Sequence, residues 1–151
     1  MPVYTHWKPE LAVTIIAARA AMPGAMLPIL HALQEEFGCI DAAAIPLVAQ
    51  ALNLSIAEVH GVVSFYHDFR REPPAAHVLK LCRAEACQAM GGAALANGLL
   101  GRLGIAWGGS TDALTVEPVF CLGLCATGPA ALLDGAPVGR LTEARLAEIL
   151  P

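Results

Sequence analysis

The sequence predicts an α+β protein in which a helical bundle precedes a mixed α/β domain. In the first half of the 151-residue chain, apolar residues recur at helical spacing behind helix-capping residues. In the second half, short runs of strand-forming residues alternate with glycine-containing turns and one long helical pattern. A charged, proline-containing stretch at 70–74 separates the two patterns. We therefore expect a helical bundle at residues 1–73 and an α/β domain at residues 74–151.

The first two helices of the bundle are delimited by their stop signals. The first is expected over about 9–22, because Pro23–Gly24 ends the helix-forming run. The second is expected over 26–37, with apolar residues along one face and Gly38 at its end.

The third and fourth helices are predicted from a proline and a capping box. Pro46 favours a helix that begins near this residue, after a short turn at Asp41. Ser55 and Glu58 have the spacing of a capping box, which predicts that the fourth helix starts there. The apolar stripe of that helix is expected to consist of Val59, Val62, Val63 and Tyr66.

The second half predicts a β-α-β-β-β-α order. Strands are expected at 77–81 and 114–120, each running directly into a cysteine, with a helix at about 87–103 between them. Asp134–Gly135 predicts the turn of a hairpin, and Thr142 is expected to cap the last helix. Both cysteine-bearing loops should then lie at one edge of the sheet.

Composition restricts the class of partner and the compartment. The net charge is −4 and no lysine or arginine run occurs, which argues against a nucleic-acid partner. The apolar run at 11–18 is too short to cross a bilayer, so we expect no membrane insertion. Five cysteines without the features of a small secreted domain indicate a reducing compartment, and we expect a cytoplasmic protein.

Two close cysteine pairs are the strongest chemical signal in the chain. Cys82 and Cys87 form a C-x4-C pair, and Cys121 and Cys125 form a C-x3-C pair. Four thiolates can complete a [2Fe-2S] centre or a tetrahedral zinc site, and neither the usual zinc spacing nor the plant-type ferredoxin spacing fits well. From the residues alone, an iron–sulfur cluster, a zinc site and paired disulfides all stay open.

The spacing, with CLGLC followed by Ala126-Thr127-Gly128-Pro129, resembles the thioredoxin-like [2Fe-2S] ferredoxin family. That family includes small subunits of respiratory complex I and of NAD-reducing hydrogenases. The stretches CRAEACQAMGG and HGVVSFYHDFR are most similar to the gamma subunit of NAD-dependent molybdenum formate dehydrogenase. The resemblance covers nearly the whole chain and implies a thioredoxin-like fold for its second half.

The resemblance implies that Cys82, Cys87, Cys121 and Cys125 ligate one [2Fe-2S] cluster. It implies a non-catalytic electron-transfer subunit that exchanges electrons with the FMN of a flavin- and NAD-binding partner subunit. Through that partner it would serve a molybdenum- and iron–sulfur-containing catalytic subunit. FMN, NAD and the molybdenum cofactor are expected only in the partners. The equivalent subunit of complex I or of an NAD-reducing hydrogenase is the alternative.

Several residues near the predicted site have an ordinary explanation as well. Gly123 and Gly128 could present amides to the cluster sulfurs or simply occupy turns. Arg83 and Glu85, inside the first loop, are expected to point to solvent, and Cys39 is expected to be a packed thiol outside the ligand set.

No catalytic motif is found, and C-x-x-C is missing, so a thiol–disulfide oxidoreductase is disfavoured. A zinc-stapled interaction module is the alternative from another class.

Overall fold

The computed structural model describes residues 4–151, which divide between Pro73 and Pro74 into two compact units. The helical unit precedes that point and the α/β unit follows it. Independent folding of the two as domains 1–73 and 74–151 is a proposal that a fragment experiment can test.

The helical unit contains four helices around one apolar core. They are α1 (Pro9–Ala17), α2 (Met26–Phe37), α3 (Ala44–Leu52) and α4 (Ile56–Phe65). Ile29, Leu30 and Leu33 of α2 are completely buried, which is why this helix has its apolar residues on one face. Gly38 ends α2 in the left-handed conformation with φ 78°, so the predicted bounds 26–37 are confirmed.

The first helix is shorter than predicted. It ends at Ala17 rather than near residue 22, because the chain tightens there into a turn. The amides of Arg19 and Ala20 both donate to the carbonyl of Ile16, at 3.1 and 3.0 Å. The stop signal at Pro23–Gly24 therefore lies in the turn region and does not itself end the helix.

The third helix begins two residues before the predicted Pro46, which occupies the third helical position. The first amides of a helix have no intrahelical partner, so proline costs no hydrogen bond there. Asp41 caps the preceding turn, since its Oδ1 accepts from the amide of Ala43 at 2.8 Å.

The capping box of α4 is confirmed. The Ser55 hydroxyl accepts from the Glu58 amide at 3.2 Å, and the Glu58 carboxylate accepts from the Ser55 amide at 2.8 Å. Val59 and Val63 are buried, but the prediction that Tyr66 belongs to this buried stripe is wrong. Tyr66 follows the last helical residue and is 43% exposed.

The α/β unit contains a four-stranded sheet in the order β2-β1-β3-β4. The strands are β1 (His77–Cys82), β2 (Leu114–Val119), β3 (Ala131–Leu133) and β4 (Ala136–Val138). β1 and β2 are parallel, whereas β3 is antiparallel to both of its neighbours. Leucines from the two longer helices of this unit pack with residues of the sheet to form its core.

The helix predicted at 87–103 is two helices. α5 (Glu85–Ala89) and α6 (Gly92–Leu103) are separated at Met90 and Gly91. Gly91 adopts φ 88°, a left-handed conformation that interrupts a right-handed helix. Cys87 consequently lies inside a short helix of its own.

The hairpin and the last helix match their predictions. Asp134 and Gly135 have φ values of 51° and 83°, as a type I′ turn requires. Thr142 caps α7 (Glu143–Ile149) by accepting from the Arg145 amide at 3.1 Å. Leu146 is completely buried and Leu141 nearly so.

No helix in the span 4–151 is both long and apolar enough to cross a membrane by itself. Helices α3 and α4 would meet that criterion only as a pair, and the pair is bent by 119°.

Candidate metal centre

Both cysteine pairs start at the same edge of the sheet. Cys82 is the last residue of β1, and its register partner on the parallel strand β2 is Val119. Cys121 follows Val119 by two residues. Because β1 and β2 are parallel neighbours, the loops that leave their carboxyl ends emerge side by side.

Backbone hydrogen bonds hold the beginnings of the two loops in place. The Cys82 amide donates to the carbonyl of Ala130 at 3.0 Å, and the Arg83 amide donates to the carbonyl of Val119 at 2.7 Å. The second bond joins Arg83, which follows Cys82, to the end of β2, the strand that leads to Cys121 and Cys125. The relative position of the two loops therefore depends on the sheet.

The first pair is buried. Cys82 is 7% exposed and Cys87 is 2% exposed. Burial raises the pKa of the Cys87 thiol, and a hydrogen bond with Cys82 and the charges of Cys82 and Cys125 raise it further, against a lowering contribution from the Ala130 backbone. Cys82 and Cys125 therefore lie close enough to Cys87 to affect the ionisation of its thiol. Because burial disfavours the thiolate form of Cys87, a metal that binds its sulfur must displace a proton.

Gly92 allows the main chain to approach Cys87 closely, whereas a β-carbon on Gly128 would make only an ordinary van der Waals contact. A β-carbon on Gly92 would lie 2.6 Å from the Cys87 carbonyl oxygen, and one on Gly128 would lie 3.5 Å from the Cys87 sulfur. The loop that carries Cys87 is therefore closely surrounded by main chain.

The second pair is more accessible. Cys121 and Cys125 are both exposed, and Cys121 adopts φ 119°, which side-chain-bearing residues rarely do. The Gly123 amide donates to the Cys121 sulfur at 3.4 Å, as an amide that stabilises a thiolate would. The Gly128 amide instead donates to the carbonyl of Cys125 at 3.3 Å, so the predicted sulfur-facing amide is found only at Gly123.

The sulfur donors fit a two-iron centre by chemistry and by their arrangement in pairs. Within residues 4–151, no three side chains of His, Cys, Asp or Glu form a group that could hold one metal ion. A [2Fe-2S] cluster requires four cysteine thiolates distributed over two irons, and the two loops supply two thiols each. Cys39 lies in the helical unit, where burial first and then the charges of Asp41 and Glu72 raise its pKa.

Sequence reasoning did not find one side-chain contact at this edge. The guanidinium of Arg83 stacks on Trp107, with 4.9 Å between Arg83 Cζ and the ring centroid. The two residues are far apart in the sequence, and neither belongs to a recognised pattern, so no sequence signal indicates the contact.

Comparison with known proteins agrees with this arrangement. The model of the thioredoxin-like [2Fe-2S] ferredoxin family matches residues 12–151. An NADH-quinone oxidoreductase subunit from Aquifex aeolicus is 34% identical over 128 residues, which are 83% of this chain and 80% of that protein. The corresponding NADH-quinone oxidoreductase subunit from Pseudomonas aeruginosa is 29% identical over 128 residues, covering 83% of this chain and 77% of that protein.

The same comparison extends to a solved structure. A crystal structure of an NAD+-reducing [NiFe]-hydrogenase in the air-oxidised state superposes with a TM-score of 0.69 and 32% identity. The match covers 87% of this chain and 23% of the hydrogenase chain, so this chain spans about a quarter of that solved chain. With its fold, its cysteine pairs and these matches, the chain belongs to the thioredoxin-like [2Fe-2S] ferredoxin family, whose cofactor is a [2Fe-2S] cluster.

Proposed function

We propose that this chain is the [2Fe-2S] electron-transfer subunit of a multi-subunit, NAD(H)-linked oxidoreductase of the NADH-quinone oxidoreductase or NAD+-reducing hydrogenase type. The observation that carries the proposal is the emergence of both cysteine loops from adjacent carboxyl ends of β1 and β2. Family membership and the relatives described above support it.

Cys82, Cys87, Cys121 and Cys125 would hold the cluster. When bound, the cluster supplies one-electron transfer. Cys82 and Cys87 anchor it in the buried part of the unit, and the Gly123 amide donates to the Cys121 sulfur. Because Cys121 and Cys125 are exposed, this side of the site is the side on which a redox partner would dock.

The partner would be a flavin- and NAD-binding subunit, with further redox subunits behind it. This chain contributes no catalytic residue to the proposal, because its assigned role is to accept and donate electrons. The assembly would work in the cytoplasm, or on the cytoplasmic side of a larger complex.

The host enzyme has a second candidate. The stretches CRAEACQAMGG and HGVVSFYHDFR resemble the gamma subunit of NAD-dependent formate dehydrogenase. The relatives described above belong instead to NADH-quinone oxidoreductase and NAD+-reducing hydrogenase, which gives those hosts better support.

Serine substitution of each cysteine tests the ligand set. Cys82→Ser, Cys87→Ser, Cys121→Ser and Cys125→Ser should each abolish or strongly alter the visible absorption of the reconstituted protein. Cys39→Ser is the matched control and should retain two irons and two inorganic sulfides per chain. An unchanged spectrum in any one of the four variants would remove that residue from the ligand set.

Purification of the tagged chain from its native host tests the partner. A flavoprotein that oxidises NADH should copurify, and the chain alone should oxidise neither NADH nor formate. Assays of the purified complex with quinone, hydrogen and formate then separate the three host enzymes. Recovery of the chain without any flavoprotein, under conditions that preserve the cluster, would contradict the proposal.

A further inference from the structure

The residue that immediately follows the first predicted ligand is held in a defined position by a tryptophan. Arg83 follows Cys82, and its guanidinium lies over the ring of Trp107. A cation over an indole face is attracted by the electron density of the ring. The side chain is exposed, as the sequence predicts, but the ring holds it in place.

The backbone of Arg83 is fixed as well. Its amide donates to the carbonyl of Val119 at 2.7 Å, and its own carbonyl accepts from Gln88 Nε2 at 2.6 Å. Trp107 is itself half-buried against the core of the α/β unit. Further contacts within the unit thereby hold both ends of the Arg83–Trp107 contact.

The contact borders a small cavity next to Cys82. The cavity has a volume of about 90 Å³, and its lining includes Cys82, Arg83, Gln88 and Trp107. The positive charge is therefore stationed at the edge of the site rather than dispersed through solvent. Glu85, the opposite charge in the same loop, lies exposed in the first turn of α5.

We propose that the charge of Arg83 raises the reduction potential of the cluster, and that Trp107 is the positioning residue that holds Arg83 in place. The inference rests on the proposed cluster ligation by Cys82. Reduction adds one negative charge to the cluster, and a nearby cation favours the more negative state. Solvent ions screen the exposed guanidinium in part, but its stacking on Trp107 keeps the charge beside the site instead of letting it move away.

Potentiometric titration of the isolated, reconstituted full chain tests this role. Arg83→Gln should make the potential more negative, and Arg83→Lys should restore part of the difference. Trp107→Leu should shift the potential in the same direction as Arg83→Gln but by less. In the Arg83→Gln background, Trp107→Leu should add little, because Trp107 is inferred to act through Arg83.

Arg145→Gln is the matched control, since it removes an equal charge from the same unit at α7. Its shift should be clearly smaller than that of Arg83→Gln. The difference between the wild type and Arg83→Gln should also shrink as ionic strength rises.

Iron content and visible absorption, measured on every variant, separate this inference from the proposed function. Absence of a cluster in the wild type would overturn the proposed function. A normal cluster with equal potentials in Arg83→Gln and Arg145→Gln would overturn only the inference. So would a wild-type potential in Trp107→Leu, or loss of the cluster in Arg83→Gln without a shift in the fraction that remains.

Discussion

Replacement of Gly92 by alanine is expected to destabilise the α/β unit and to weaken cluster binding. Gly92 is the first residue of α6, and a β-carbon there would lie 2.6 Å from the carbonyl oxygen of Cys87. Real β-carbons essentially never lie within 3.0 Å of a heavy atom outside their own residue and its chain neighbours. The contacted atom belongs to the backbone, so no side-chain rotation can relieve the overlap. The main chain at Cys87 must move, and the predicted ligand moves with it.

The size of the effect follows from the packing. Forcing an extra carbon into a packed site costs about 1–3 kcal/mol. Gly101, in the same helix, is the matched control because a β-carbon there would meet no atom within 4 Å. Gly101→Ala should stabilise the unit by about 0.5–1 kcal/mol, since alanine has the higher helix propensity. The two variants should therefore move in opposite directions.

Denaturant unfolding of the reduced, cluster-free full chain measures the difference. Trp7 and Trp107 lie in different units, so a Trp7→Phe background leaves the fluorescence of Trp107 as a reporter of the α/β unit. Iron and inorganic sulfide per chain are measured after reconstitution. If Gly92→Ala unfolds at the same denaturant concentration as Gly101→Ala and holds the same iron, the steric argument is refuted.

Three further predictions concern the units separately. A fragment of residues 74–151 should fold and bind two irons per chain, and an insoluble or iron-free fragment, under conditions that load the full chain, would refute the boundary at 73/74. Thr142→Ala should cost about 0.5–2 kcal/mol in denaturant unfolding while Thr142→Ser costs little, because the hydroxyl caps α7; equal losses would exclude the cap. Hydrogen bonds from the Ser55 amide and hydroxyl lower the pKa of Glu58. The Glu58 carboxylate therefore stabilises the folded state fully at pH values above the ordinary carboxyl pKa, and this stabilisation is lost as the pH falls through the lowered pKa of the folded state. Glu58→Gln should therefore be less stable than the wild type at pH 7, and the difference should vanish in acid; a constant difference would contradict the assignment.

Elements with a local cause were predictable from the sequence. Gly38, the Ser55–Glu58 capping box and the Asp134–Gly135 turn each act within a few residues, and the structure contains all three features. Errors arose where local signals competed. The helical pattern predicts one helix over about 87–103, whereas the left-handed conformation of Gly91 divides it in two.

The buried stripe of α4 shows a different limit. The spacing of Val59, Val63 and Tyr66 is helical, but the helix ends at Phe65. Periodicity cannot show where a helix stops when no glycine or proline marks its end. Tyr66 is exposed for that reason, although it continues the apolar pattern.

The sequence by itself determined the two-part organisation and the candidate ligands, because periodicity and cysteine spacing are local properties of the chain. Only the tertiary structure decided the strand order β2-β1-β3-β4, in which the two cysteine-bearing strands are direct parallel neighbours. It also decided that the first pair is buried while the second is exposed. The contact of Arg83 with Trp107 is likewise decided only by the tertiary structure. These features join residues distant in sequence, so they depend on how strands and helices pack, which no local pattern encodes.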